Sequence, residues 1–270
     1  MGTRIGVVLS GCGNGDGSEI GESILVLHAL ERLGARAVCM APLAMQTHVV
    51  DHQTHHVDPT AVPRQVLTEA ARITRGKIRE LASVQETELD GLIIPGGEGV
   101  VTILSDYAAK GVICEVHPDV TRLLKGLLRR HRPMGFVCIA PILAARVLGP
   151  AAGVRITLGS KTSEEAKHAA VMGADVRPCP VREIIVDEKN RVVSTPAYMC
   201  EEVRLLDVGI AMDRLVRTVV TMARNRREQP QPRPSVKPAP RSEQPSGVFL
   251  RKPNSPGSRG ATTRPADGSS

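Results

Sequence analysis

Short aliphatic runs alternate with longer stretches whose apolar positions recur every three to four residues, a pattern that predicts an open parallel β-sheet flanked by helices. The first run, at residues 5–9, ends in the loop SGCGNGDGS; a helix follows over about 19–33, with Ser18 as its N-cap and Gly34 as its stop. A second strand at 37–40 precedes a polar loop containing His48, His52, His55 and His56, then a helix near 64–74. Next come a strand at 91–94 with the turn PGGEG, a helix over about 119–130 and a strand at 134–137. Cys138 ends that strand, and a helix leaves it over 139–148. Residues 164–172 are helical, REIIVDEKNRVVSTP forms a hairpin turning near 188–190, and a last helix spans roughly 201–223.

Apolar periodicity stops near residue 224. From there to 270 the chain holds nine of its twenty prolines, among Ser, Gly, Gln and Arg, a composition with too little apolar surface to offset the entropy of ordering. The expected organisation is one α/β domain over 1–223 and a disordered basic tail over 224–270. The tail also changes the reading of charge. Its ten Lys/Arg and three Asp/Glu account for the whole net charge of +7, so the body is neutral. A nucleic-acid surface is not expected on the body, and weak polyanion contact belongs to the tail. With two Tyr, two Phe and no Trp, the core is aliphatic, which suits buried parallel strands and excludes a base-stacking platform.

The chemistry concentrates at Cys138. In MGFVCIAPILAARVL a thiol stands between an aliphatic strand and an Ala-rich helix, the strand-turn-helix geometry of a nucleophile elbow. The helix N-terminus is expected to lower the thiol pKa. Ligands of open parallel sheets collect beyond the carboxyl ends of the strands, where SGCGNGDGSEIGE, PGGEG and Cys138 converge. The amides of Gly97 and Ile139 are the expected oxyanion hole, and Glu22 the expected proton shuttle. Cys12, Glu19 and Glu98 are candidates to line the site; Cys12 shares the sheet edge of Cys138, within reach of oxidative pairing, but is read first as a small residue filling a tight loop.

Other chemistry is discounted. No offset of GCGNGDG fits G-x-G-x-x-G, so a dinucleotide is not expected. The histidines of the polar loop lack Cys or carboxylate companions at metal spacing, and the six cysteines form no C-x-x-C pair. No metal and no cofactor are expected. The N-terminus enters a strand at once, and no apolar run approaches the roughly 20 residues needed to span a bilayer. A cytoplasmic location without membrane attachment is therefore expected.

Over residues 3 to about 220 the sequence resembles the ElbB-type family of glutamine-amidotransferase-like class I domain proteins. Their superfamily includes PfpI and the parkinsonism-associated protein deglycase. The matching stretches are LSGCG with DGSEI and Glu22, EAARITRGKI, the PGG at 95–97, CIAP at 138–141, and VDEKNRVVSTPAYMCE. Two places depart from the family pattern: Glu98, Gly99 and Val100 follow PGG where relatives carry Phe and then Gly-Ala, and Gly21 stands where many have His. The resemblance implies a flavodoxin-like three-layer αβα sandwich with a mostly parallel sheet, an elbow Cys138 and its companion Glu22. It further implies cofactor-independent, glyoxalase III-like or deglycase-like processing of small α-oxoaldehydes, a lyase activity of weak turnover.

A class I glutaminase is not expected, because that activity needs a His two residues before a Glu and none of the eight histidines has one there. The competing function is a non-catalytic redox-sensing or metabolite-binding relative. The expected partners are a small aldehyde or metabolite and, where the body self-associates, a second copy in a homodimer.

Overall fold

The aliphatic runs become strands because β-branched and large apolar residues fit a pleated surface covered on both sides. The structure, a computed structural model, describes residues 2–228, with side chains described to residue 225. In chain order, β1 (Arg4–Val8), α1 (Ile20–Arg32) and β2 (Arg36–Ala41) lead to a small hairpin of β3 (Val50–Asp51) and β4 (His56–Val57). Then follow α2 (Val66–Ile73), β5 (Arg79–Glu80), β6 (Gly91–Ile94), two short helices, α3 (Gly99–Thr102) and α4 (Tyr107–Lys110), and α5 (Pro118–Arg129). The chain continues with β7 (Met134–Val137), α6 (Pro141–Ala152), β8 (Arg155–Ile156), α7 (Glu164–Val171), β9 (Asp175–Val176), β10 (Ile185–Asp187), β11 (Val192–Thr195) and α8 (Leu205–Glu228).

Seven strands form the main sheet in the order β10-β11-β7-β6-β1-β2-β5. Every neighbouring pair is parallel except β10 with β11. On one face Val26 and Leu30 of α1, Val66 of α2 and Leu215 of α8 pack with Ile5, Val7 and Ile93. On the other, Leu123 of α5, Leu143 of α6 and Ala169 of α7 pack with Val8, Met40 and Phe136. This is a flavodoxin-like αβα sandwich, as expected. Proline stands at or next to the first position of α5 and α6, where its missing N–H costs no helical bond.

Several details differ from the sequence reading. Ser18 does not cap α1; its hydroxyl turns inward and accepts from Ser10 N at 2.8 Å, while Glu19 caps the helix through the N–H of Glu22. Gly34 does end the turn, at φ 63°. The edge strand β5 and the separate β8–β9 pair carry no apolar signal long enough to read, being two residues each. The last helix extends to Glu228, past the expected boundary at 223. From residue 229 the expected tail, with its polyanion contact, lies outside the described residues. Among the described residues no helix is long and apolar enough to cross a membrane.

Candidate functional site

Because β7, β6 and β1 are neighbours, the loops leaving their carboxyl ends meet at one point. Cys138 stands there at φ 60°, a left-handed conformation that strains a residue with a Cβ. Its own N–H donates to Thr195 O of β11 at 3.0 Å, and Ala140 N returns to Val137 O at 2.9 Å, so the elbow is tied into the sheet. The N–H groups of Ile139 and Gly97 both act on the sulfur in the direction that favours its thiolate. Both amides expected to form an oxyanion hole thus lie near enough to the thiol to influence it.

The PGG turn is shaped by close approach. A Cβ on Gly96 would lie 2.8 Å from Glu22 Oε2 and 3.1 Å from Cys138 Sγ, so only glycine leaves room for both groups. At Gly97, with φ 101°, an added Cβ would collide with Gly17 O and Glu19 N. Gly96 N donates to Glu22 Oε2 at 2.7 Å while Gly96 O accepts from Glu19 N at 2.9 Å. These bonds lock the first turn of α1 to the loop after β6.

Glu22 is wholly buried, and its Oε1 has no hydrogen-bond partner of good geometry among the described residues. Burial pushes its pKa up to about 8; the Gly96 N–H opposes this, neighbouring Glu19 adds to it, and the Cys138 thiol and Tyr198 amide oppose it. Burial likewise pushes the Cys138 thiol up, reinforced by the Glu22 carboxylate and opposed by the two amides. The expected lowering by the helix end is thus overturned. The amides act in the anticipated direction, but in a site only 8% exposed desolvation outweighs them.

Glu19 borders the pair as the α1 cap. Glu98 is exposed at the rim, held through its backbone N–H to Asn14 O at 2.7 Å. Cys12 is half-exposed and lies among Arg72, Glu69, Asp16 and Arg64, and all six cysteines are free. The sequence reading missed Tyr198, whose amide faces Glu22 and whose phenol feels Glu19, Glu22 and Cys138. Its signal lay in the stretch STPAYMCE, which returns to the elbow because Thr195 pairs with Val137. His52 holds the first loop together, its Nδ1 donating to Val50 O at 3.1 Å and its Nε2 accepting from Gly15 N at 3.1 Å. Among the described residues no group of three or more His, Cys, Asp or Glu is placed to hold a metal ion.

No family model matches the sequence. It is 42% identical over 207 residues to the human (Homo sapiens) mitochondrial glutamine amidotransferase-like class 1 domain-containing protein 3, covering 73% of this chain and 75% of that protein. It is also 42% identical over 206 residues to the mitochondrial ES1 protein homolog of Rattus norvegicus, covering 73% and 76%. These names give the cytoplasmic expectation no support. Among solved structures, an isoprenoid biosynthesis protein with an amidotransferase-like domain from Ehrlichia chaffeensis superposes with a TM-score of 0.76 at 30% identity, over 82% of this chain and 99% of that one. A ThiJ/PfpI domain protein from Brachyspira murdochii, at 11% identity and a TM-score of 0.50 over 83% and 99%, shares the fold.

Proposed function

Since the chain belongs to the glutamine amidotransferase-like class 1 domain family, the ES1 proteins, within the PfpI-type superfamily, we propose that it converts small α-oxoaldehydes to 2-hydroxy acids by a glutathione-independent, glyoxalase III-like reaction, with deglycase-like processing of the same carbonyls as a companion activity. The observation that carries this reading is the buried Glu22 carboxyl beside the Cys138 thiol, its pKa raised to about 8, so that it exchanges a proton near neutral pH.

In this reading the pair first loses one proton. The Glu22 carboxylate then takes the thiol proton as sulfur bonds to the aldehyde carbon, and returns it to the carbonyl oxygen to leave a hemithioacetal. The amides of Gly97 and Ile139 stabilise the developing oxyanion. Glu22 next removes the hydrogen of that carbon as a proton and delivers it to the adjacent ketone carbon through an enediol. The sulfur-bound carbon is thereby oxidised to a thioester and its neighbour reduced to a carbinol. Water cleaves the thioester and frees the thiol, so one aldehyde and one water give one hydroxy acid with no outside oxidant. The test is methylglyoxal consumption by the purified chain. Slow turnover is expected, and turnover surviving Cys138→Ala would exclude the thiol.

A second reading is a non-catalytic redox-sensing or metabolite-binding protein that retains the elbow; the low exposure and raised pKa of Cys138 weigh against a reactive thiolate and so favour its metabolite-binding form. Its signature is the absence of aldehyde turnover in the parent chain, with oxidation of Cys138 to the sulfinate under mild peroxide marking the redox-sensing form.

A further inference from the structure

Away from the elbow, along the outer flank of β2 from its amino end, lies a groove of about 830 Å³ bordered by Arg4, Arg36, Lys77 and Arg79, with Glu88 as its carboxylate. Arg4 and Arg36 are register partners in adjacent parallel strands, so their side chains leave the same face of the sheet about 4.8 Å apart. Like charges directly opposed in this way are destabilising. The carboxylate relieves them little. Glu88 feels Arg4 at a distance but is committed to Arg79, whose Nη1 and Nη2 approach its two oxygens at 2.8 and 3.4 Å, and to Gln85 N at 2.9 Å. The side chains of Arg4, Arg36 and Lys77 form no ion pair or hydrogen bond among the described residues, whereas thirteen of the chain's other arginines, Arg32 and Arg79 among them, are ion-paired.

The groove also has an apolar side. Val38 lies two residues beyond Arg36 and so faces the same way, and Ile78 borders it from the segment entering β5. We propose that this groove binds a phosphorylated small molecule of nucleotide size, its phosphates on Arg4, Arg36 and Lys77 and its uncharged body against Val38 and Ile78. Arginine forks match phosphate oxygens two at a time, and the volume lies within the range of small-molecule sites. The site is separate from the thiol and does not depend on the proposed glyoxalase chemistry.

The test is calorimetric titration of the full chain with ADP, and separately with inorganic pyrophosphate, at low ionic strength. Saturable ADP binding is expected. The double variant Arg36→Ala with Lys77→Ala, both at exposed positions, is expected to weaken it about tenfold or more, since each lost charge-assisted bond is worth about 1.5–3 kcal/mol and 1.4 kcal/mol is tenfold. Lys125→Ala, an exposed lysine on α5, is expected to leave affinity within about twofold. Pyrophosphate, lacking a body for the apolar side, is expected to bind more weakly than ADP. The proposal is overturned if no saturable binding appears up to about 1 mM ADP, if the double variant binds as well as the parent, which would place the contact elsewhere, or if pyrophosphate binds as tightly as ADP.

Discussion

Glu22 sits in the interior without a cation to balance it: the groups acting on it most strongly are another carboxyl, a thiol and two amides. Keeping it there is favourable only while it holds its proton. A carboxyl whose folded pKa is raised from 4.5 to about 8 binds a proton that the unfolded chain releases across that interval. Stability contributed by this group is full below about pH 4.5, falls by up to roughly 1.4 kcal/mol per pH unit as pH rises, and levels off above about 8. Glu22→Gln is expected to flatten the pH dependence of the melting temperature over this window while still accepting from Gly96 N. It should also cost roughly 10² or more in turnover, as for loss of an acid/base group. An equally sloped stability profile in the variant would show that Glu22 is ionised at neutral pH. The same shift predicts that kcat/KM for methylglyoxal climbs with pH toward an apparent pKa near 8 that belongs to the Glu22–Cys138 pair. A flat profile from pH 6 to 9 would contradict that coupling. Alkylation should follow the same order: at pH 6.5 iodoacetamide is expected to label half-exposed Cys12 and Cys200 before buried Cys138, read by peptide mapping.

The elbow, the PGG turn and the Glu on the first helix were legible in the sequence because each lies where an aliphatic run meets a helical period. Their convergence followed from the rule for parallel sheets. What could not be read was the balance of energies at the thiol. The sequence displays a helix start, which lowers a thiol pKa, but burial emerges only when Gly96, Tyr198 and the first loop close around it. Ser18 misled for a related reason: its type suits a cap, yet Ser10 N takes its hydroxyl once the loop folds inward. The short strands β5, β8 and β9 were invisible because two residues, half of them charged or more, carry no period. The turn element itself can be tested through its glycines. At Gly97, φ 101° and backbone atoms of Gly17 and Glu19 both oppose a side chain, so Gly97→Ala is expected to cost several kcal/mol and abolish turnover. At Gly76, φ 80° with no atom within 4 Å of a Cβ, Gly76→Ala should cost only about 1 kcal/mol of backbone strain. Equal losses in denaturant titrations of the two would show that crowding at the PGG turn contributes nothing.

At the scale of the molecule, the sheet order places β1 in the interior, flanked by β6 and β2, so the chain's first strand is fixed only once later segments have joined it. The last helix contributes to that closure. Leu215, Val216 and Val219 of α8 pack into the same core as Ile5 and Val7, and beyond the expected boundary Arg224 reaches back, donating from Nη2 to Leu33 O at 2.6 Å and from Nε to Thr3 Oγ1 at 3.4 Å. The sequence marked the end of the domain by the loss of apolar periodicity, a criterion that cannot register a polar residue bonding to backbone. The proper cut is therefore after α8. A chain ending at Glu228 should melt within a few degrees of the full-length protein, since residues beyond it carry little apolar surface to bury. A chain ending at Ala223 loses both Arg224 bonds and the last turn of α8. At about 1.5–3 kcal/mol for hydrogen bonding to a charged group, and about 2–4 °C per kcal/mol in a domain of this size, its melting temperature should fall by roughly 3–12 °C. Calorimetric scans of the three chains decide the point: equal melting of the two truncations would mean that Arg224 adds nothing, and a large drop already at Glu228 would mean that the residues after it pack on the domain.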